Sequence, residues 1–167
     1  GEKIGDEYLA PGFHSYDFWQ QYQTYDVTEA LQAGGNAIGF MLGDGWYKGR
    51  FGFDGGYEDL YGDQFRLIAE CIVTYEDGTE EIIASDDTWE VAEGPLVSSS
   101  IYDGEVYDAN LEIDGWNKYS ESESAVCWER MQLSDTDTEE LQARLSVPVK
   151  IVDAFVPELI ITPAGEQ

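Results

Sequence analysis

The sequence is poor in the residues that most often carry out chemistry or bind metals. It has one histidine, His14, two cysteines, Cys71 and Cys127, and no CxxC motif. Zinc sites take their ligands mainly from histidine and cysteine, so this composition argues against zinc. A nucleophilic serine or cysteine needs an activating base, and no GxSxG motif accompanies the single histidine. The two cysteines leave open a buried thiol at Cys71 and a disulfide between them.

Positive charge and long apolar runs are also scarce. The chain carries 8 Lys and Arg residues against 35 Asp and Glu residues, which gives a formal net charge of -27. The electric field of this negative charge repels nucleic-acid backbones and anionic membrane surfaces. No apolar run approaches the roughly 20 residues that a membrane-spanning helix needs. We therefore expect neither nucleic acid nor membrane as a partner, whereas divalent cations and neutral ligands fit the charge.

The apolar and polar residues that are present follow the two-residue period of β-strands. Residues 21–27 alternate polar with aromatic or β-branched side chains, and residues 36–44 are apolar enough for a central strand. The clearest hairpin joins residues 64–75 to residues 80–85 through Asp77-Gly78, which suits a tight primed turn. Short strands are predicted in TWEVAEG and GEVYDANLE, and a β-rich closing segment is broken by prolines.

Only one helical turn is predicted in this strand-rich chain. Asp26 is placed to cap it, Glu29 occupies the third helical position, and Gly34 or Gly35 ends it. Many short strands separated by glycine-rich turns indicate an antiparallel sandwich or jelly roll. The polar runs at residues 120–125 and 134–140 are predicted to be exposed loops.

Two kinds of ligand site are compatible with the loops. The acidic, glycine-rich segments 53–64 and 101–110 offer the oxygen donors that calcium prefers, although neither matches an EF-hand. Aromatic rings can stack on sugars while neighbouring polar groups bind the hydroxyls, and the same rings can instead belong to the core. The ring candidates are Trp19, Tyr22, Trp46, Tyr47, Tyr57 and Tyr61.

A family resemblance sharpens this picture. The segments GDEYLAPGFHSYD, LGDGWYKGR, YGDQ and IYDGEVYDA occur here in this order. Together they resemble the N-terminal β-sandwich domain of bacterial α-L-rhamnosidases of glycoside hydrolase family 78, over most of the chain. The resemblance implies an all-β, galactose-binding-like jelly roll with one short helical turn. It also implies a multidomain parent enzyme that releases terminal L-rhamnose, with its two catalytic glutamates in a helical barrel outside these residues.

The resemblance also implies a domain division and a candidate site. Residues 1–147 would form the accessory jelly roll without its first strand, and residues 148–167 would be a strand or linker toward the next domain. In some family members this domain binds rhamnose through calcium, on loops that correspond to SYDFW and YGDQ. The implied metal ligands are Asp17 and Asp63, and Gln64 would join them in binding sugar. Phe18 departs from the family pattern, which has a polar amide there.

Trp46 and Tyr57 complete the predicted sugar-binding set, although Trp46 is also expected to anchor the base of its loop. Arg50 is expected to pair with a neighbouring acid. Three functions remain open: a non-catalytic rhamnose-binding domain with possible calcium, a structural domain that packs against the catalytic barrel, and a self-sufficient hydrolase. The third is disfavoured because no acid and base pair stands out. The resemblance implies a bacterial source and leaves open whether the protein is cytoplasmic or secreted.

Overall fold

The structure, a computed structural model, describes residues 1–120, 126–135, 141–156 and 158. This part of the chain is built from short strands, and its helix is confined to two 3₁₀ turns. The strands are β1 (Glu7–Tyr8), β2 (Gln20–Tyr22), β3 (Glu70–Thr74), β4 (Glu80–Ala84), β5 (Glu90–Val91), β6 (Leu96–Ser100), β7 (Gly104–Tyr107), β8 (Glu129–Arg130), β9 (Leu141–Ala143) and β10 (Val149–Lys150).

The strands pair two by two, and two of the pairs join the beginning of the chain to its end. Strand β1 pairs antiparallel with β10, and β2 pairs parallel with β9. The other antiparallel ladders are β3–β4, β5–β8 and β6–β7. Because β10 lies beyond residue 147, the first residues of the predicted linker are paired within this fold. The division of the chain at residue 147 itself stays a prediction.

The predicted hairpin is confirmed, with a different turn. Strands β3 and β4 pair in register from Glu70 opposite Ala84 to Thr74 opposite Glu80. Either primed turn would need positive φ at Asp77, the first central residue, whereas of these two residues only Gly78 has positive φ, at 83°. The turn is instead closed by two hydrogen bonds, from Gly78 N to Tyr75 O and from Tyr75 N to Thr79 O. The strand also begins at residue 70 rather than 64.

The predicted central strand over residues 36–44 is wrong, since this segment runs without ladder partners. Gly39 within the segment and Gly35 just before it face aromatic rings. A Cβ added at Gly39 would lie 2.6 Å from the Trp116 ring, and one at Gly35 would overlap the Tyr119 ring. These rings therefore pack against the glycine backbone and stabilise the segment, where a neighbouring strand was expected. The strand predicted over residues 21–27 is likewise shorter, at Gln20–Tyr22.

The predicted helical turn is present, with a different cap. It spans Thr28–Ala30, follows Val27 and ends at Leu31, before the glycines that were expected to terminate it. Asp26 still contributes, because its Oδ1 accepts a hydrogen bond of 3.0 Å from Thr28 N.

A second 3₁₀ turn, Ala109–Leu111, was not predicted from the sequence. It follows Asp108, whose side chain accepts a hydrogen bond from Asn110 N. The expectation of a single helical turn is therefore wrong by one turn. Each turn has an aspartate near its start whose carboxylate accepts from a backbone N–H two residues later, but Asp108 directly precedes its turn whereas Asp26 lies one residue further back.

The interior is filled by half-buried side chains. None of the described hydrophobic side chains is fully buried, and the fully buried polar residues are His14 and Gln21. Both cysteines are free, with Cys71 half-buried and Cys127 exposed, so the alternative of a disulfide between them is not realised. The helices in the described residues lack the length and hydrophobicity to cross a membrane. Most of the two predicted polar loops, at 121–125 and 136–140, and the segment 159–167 lie outside the described residues.

Candidate functional site

The first predicted ligand loop is a tight turn between the buried His14 and strand β2. The backbone N–H groups of Phe18 and Trp19 donate to the carbonyl of Ser15, at 3.0 and 3.3 Å. This turn places Asp17 at its exposed corner. Phe18, which departs from the family pattern, is 71% exposed. The carboxylate of Asp17 is therefore accessible to a ligand.

The second predicted loop presents Asp63 and Gln64, and both are exposed. The preceding Gly62 packs against the phenol of Tyr47, and a Cβ added to this glycine would lie 2.9 Å from the nearest ring carbon of Tyr47. The absence of a side chain at Gly62 thus allows the loop to approach Tyr47 closely. Tyr47 fixes the point from which Asp63 and Gln64 project.

A cluster of three tyrosines joins the two loops. The ring centroid of Tyr16 lies 5.0 Å from that of Tyr61 and 5.3 Å from that of Tyr47, in edge-to-face arrangements. Burial, with a smaller contribution from Tyr61, raises the pKa of Tyr16 to about 12, so its phenol is neutral at physiological pH. Because Asp17 follows Tyr16 and Asp63 lies two residues after Tyr61, the cluster brings the predicted ligand loops together.

The donors at this junction make an incomplete calcium site. Calcium takes six to eight oxygen ligands. Here the predicted protein donors are the carboxylates of Asp17 and Asp63 and the amide of Gln64. Within the described part of the chain, no group of three or more His, Cys, Asp or Glu side chains is placed to hold a metal ion. Calcium at this position would need further oxygens from backbone carbonyls, water or a bound sugar, and it stays a prediction.

Trp46 and Arg50 belong to the framework of the adjacent loop, as expected from the sequence. The Trp46 ring lies 5.3 Å from Phe13 and 6.5 Å from Tyr102. The Arg50 guanidinium donates to both carboxylate oxygens of Asp103, from Nε to Oδ2 at 2.8 Å and from Nη2 to Oδ1 at 2.7 Å. This bond holds the pKa of the Asp103 carboxyl below its usual value, so the pair stays ionised.

Tyr57 lies apart from the tyrosine cluster, on a turn of its own. Its backbone pairs with Phe51, and its side chain is 75% exposed. The predicted residues therefore form two groups. Asp17, Asp63 and Gln64 project from the joined loops, whereas Trp46 and Tyr57 lie on the glycine-rich segment between these loops in sequence. Sugar binding by any of the five stays a prediction.

The single histidine is a buried structural group. His14 is 4% exposed, and its Nδ1 lies 3.4 Å from the side-chain nitrogen of Gln21. The Gln21 oxygen in turn accepts a hydrogen bond of 2.9 Å from Leu145 N, next to strand β9. Burial lowers the pKa of His14, so the ring is neutral at physiological pH. The histidine thus helps connect β2 to the end of the chain.

A polar cluster that the sequence did not reveal lies where the beginning of the chain meets residues 143–144 near its end. The Arg144 guanidinium donates to both carboxylate oxygens of Glu7, and the Tyr25 hydroxyl donates to the same carboxylate at 2.9 Å. The hydrogen bond with Arg144, opposed by burial, lowers the pKa of Glu7 to about 2. A cleft of about 310 Å³ borders these residues. The pair is separated by 137 positions, and no local pattern marks either residue as the other's partner.

The short paired strands, with little helix, define the class of protein as an all-β sandwich domain, and the candidate site lies on its loops. Residues 1–153 match the family described as the α-L-rhamnosidase N-terminal domain. The chain belongs to this family. The predicted fold class and the family resemblance are both confirmed by these findings.

Relatives and solved structures agree on this assignment. An α-L-rhamnosidase of Streptomyces avermitilis is 37% identical over 98% of the chain, which covers 16% of that protein. A crystal structure of the Streptomyces avermitilis enzyme complexed with L-rhamnose matches with a TM-score of 0.75 and 34% identity, over 92% of the chain and 15% of that structure. The native enzyme of Aspergillus terreus matches with a TM-score of 0.73 and 37% identity, over 84% and 16%. The chain spans about one sixth of the length of these relatives.

Proposed function

We propose that this chain is a non-catalytic accessory domain of a longer α-L-rhamnosidase that releases terminal L-rhamnose from glycans or glycosides. One observation carries the proposal. The family match occupies residues 1–153, whereas the chain covers only 16% of a relative with that activity. In this proposal the two catalytic glutamates lie elsewhere in the parent. The buried, neutral His14 is consistent with a domain that does not perform the hydrolysis itself.

Activity of the purified chain tests the non-catalytic role. We expect no release of the aryl group from an aryl α-L-rhamnoside, because the acid and base for glycoside hydrolysis would be absent. A complete α-L-rhamnosidase serves as the positive control under the same conditions. Hydrolysis by the pure chain that survives repeated purification would overturn the proposal.

We further propose that the junction of the Asp17 and Asp63 loops binds L-rhamnose. Support comes from the 5.0 Å contact between Tyr16 and Tyr61, which brings exposed carboxylate and amide groups to one place. Such groups bind sugar hydroxyls, and calcium is proposed to complete the site with the sugar's own oxygens. The relative from Streptomyces avermitilis has been crystallised with L-rhamnose.

A purely structural role is the second candidate, and the β3–β4 hairpin favours it. Ile72 and Ile82 face each other across this ladder and are 56% and 61% exposed. An isolated two-stranded hairpin is only marginally stable in water, so an apolar pair at its centre suits packing against a further domain. In this case the domain would stabilise and shape the parent enzyme without a ligand of its own.

Calorimetric titration with L-rhamnose separates the two candidates. Binding heat that appears with calcium and disappears with a chelator supports the sugar-binding site. Asp63→Ala should then abolish the heat, whereas Asp87→Ala, at an exposed aspartate in a different turn, should leave it unchanged. Absence of heat with and without calcium would favour the structural role.

A further inference from the structure

A cavity of about 550 Å³ lies between the β3–β4 hairpin and the segment of residues 31–38, and it is called here the hairpin cavity. Successive side chains of a strand point to opposite faces. Cys71 and Val73 of β3 and Ile83 of β4 therefore share one face of the hairpin, and this face forms one wall of the cavity. The volume falls within the range of roughly 300–1,000 Å³ that is typical of small-molecule sites.

Apolar and aromatic side chains also form the rest of the cavity wall. Leu31 and Ile38 line it from the opposing segment, and Trp89 adds an aromatic ring. The Trp89 ring stacks on that of Phe40, with ring centroids 5.9 Å apart and an angle of 26° between the planes. A flat ring that entered the cavity would bury apolar surface and extend an existing group of aromatic rings. The wall is therefore suited to an aromatic ligand.

The polar groups that line the hairpin cavity are largely bound to one another. The Asn36 side chain donates from Nδ2 to Gln32 O at 2.7 Å, and its Oδ1 accepts from Gln32 N at 3.0 Å. The Tyr75 hydroxyl donates to the Glu81 carboxylate, and this hydrogen bond raises the pKa of Tyr75. A sugar ring would compete with these bonds for every hydroxyl. A ligand with one or two hydroxyl groups fits better, because a carboxylate can accept several hydrogen bonds.

Charge restricts the ligand of the hairpin cavity further. Glu81 lines the cavity, and the chain carries a net charge of -27, so both oppose an anion. A cation would lose its hydration against the aliphatic wall, which is costly. A neutral, mainly apolar molecule with a hydroxyl donor for Glu81 satisfies all these conditions. A phenol has this combination of properties.

We propose that the hairpin cavity binds the neutral phenolic aglycone of a rhamnoside. This inference rests on the proposed function, in which the parent enzyme releases L-rhamnose from glycans or glycosides, and it selects glycosides with an aromatic aglycone. The aliphatic wall and Trp89 contact the ring, and Glu81 accepts a hydrogen bond from a phenolic hydroxyl. The cavity is separate from the proposed rhamnose site on the Asp17 and Asp63 loops, since neither aspartate lines it.

The two free cysteines allow a direct test with the purified chain. Cys71 is half-buried in the cavity wall, whereas Cys127 is exposed and does not line the cavity, so it is an internal control. Naphthol and a naphthyl α-L-rhamnoside should each slow the alkylation of Cys71 by iodoacetamide several-fold and leave Cys127 unchanged, as measured by mass spectrometry. L-Rhamnose alone should slow neither. Unchanged alkylation of Cys71 with naphthol would overturn the proposal, and protection by naphthol but not by the rhamnoside would refute the aglycone assignment.

Calorimetric titration with naphthol is a second test, and it needs no reactive thiol. Ile83→Trp places a ring in the cavity and should abolish the binding heat, whereas Ile82→Trp, on the opposite face of the same strand, should leave it unchanged. Equal heats from the two variants would contradict binding in this cavity. The outcomes also separate this proposal from the rhamnose site. A chain that binds L-rhamnose but not naphthol refutes only the hairpin cavity, whereas one that binds naphthol but not L-rhamnose refutes only the rhamnose site.

Discussion

The sharpest stability prediction concerns Gly49, a buried glycine in the segment LGDGWYKGR. Its turn is tied to strand β6, because Gly45 N donates to Ser99 O at 2.8 Å and Ser99 N donates to the Asp44 carboxylate at 2.9 Å. A Cβ at Gly49 would press on the backbone oxygen of Gly45 and lie 3.2 Å from the Cα of Ser100. Both obstacles are backbone atoms, so no side chain can swing away to make room.

The magnitude follows from this geometry. Overpacking that forces backbone shifts costs about 1–3 kcal/mol. The loss of backbone freedom in the unfolded chain returns about 0.4–1 kcal/mol for a glycine-to-alanine change at an ordinary φ. We therefore expect Gly49→Ala to destabilise the fold by about 1–2 kcal/mol. For a domain of this length, that change lowers the midpoint of thermal unfolding by about 2–8 °C.

Gly94→Ala is the matched control. A Cβ at this position meets nothing within 4 Å, and its φ lies outside the left-handed region. Only the unfolded-state effect remains, so this variant should be equally or slightly more stable than the parent sequence. The five tryptophans report unfolding by fluorescence in urea or on heating. If Gly49→Ala proves as stable as Gly94→Ala, the packing argument for the segment is refuted.

Further predictions concern the ionised and titrating groups. Arg144→Gln should destabilise the fold at neutral pH. Because the folded pKa of Glu7 is near 2 and its ordinary value is 4.5, the difference between wild type and variant should shrink as pH falls from 4.5 toward 2 in thermal unfolding scans. His14 should titrate below pH 6.5, since burial disfavours its charged form, and as the single histidine it gives one resolved C2-proton NMR signal. A signal that titrates above 6.5 would contradict this burial. Arg50→Lys should increase amide hydrogen exchange in residues 51–57, because lysine cannot hold Asp103 with two parallel bonds; unchanged exchange would show that the Arg50–Asp103 pair does not stabilise this segment.

Features determined by neighbouring residues were predictable from the sequence. The β3–β4 hairpin follows from alternation on both sides of Asp77-Gly78, and the first helical turn follows from Asp26. The predicted type of hairpin turn was wrong, because Asp77 keeps an ordinary φ and only Gly78 takes the left-handed conformation. Composition cannot distinguish a two-residue primed turn from the longer turn observed here, which closes from Tyr75 to Gly78, because a glycine with positive φ suits both.

Features determined by distant residues were not predictable. The apolar segment 36–44 has the composition of a central strand, but Trp116 covers its Gly39 and Tyr119 covers Gly35 just before it, and neither distant contact is visible in the local sequence. The Glu7–Arg144 pair likewise joins residues that share no local pattern. In the candidate site, family resemblance selected the two ligand loops, and only the structure identified the tyrosine contact between them. An acid was expected beside Arg50, but its identity, Asp103, was not.

The pairing of β1 with β10 and of β2 with β9 has a consequence for synthesis on the ribosome. Strands formed from residues 7–8 and 20–22 must wait for partners at residues 141–150. Chains lengthen at about 5–20 residues per second, so the first strands remain unpaired for several seconds or more. During this interval the dense negative charge of the nascent chain opposes association with its neighbours. The acidic composition is therefore expected to protect a fold whose last-made strands close it, and a charge-neutralised variant should aggregate during synthesis rather than after folding.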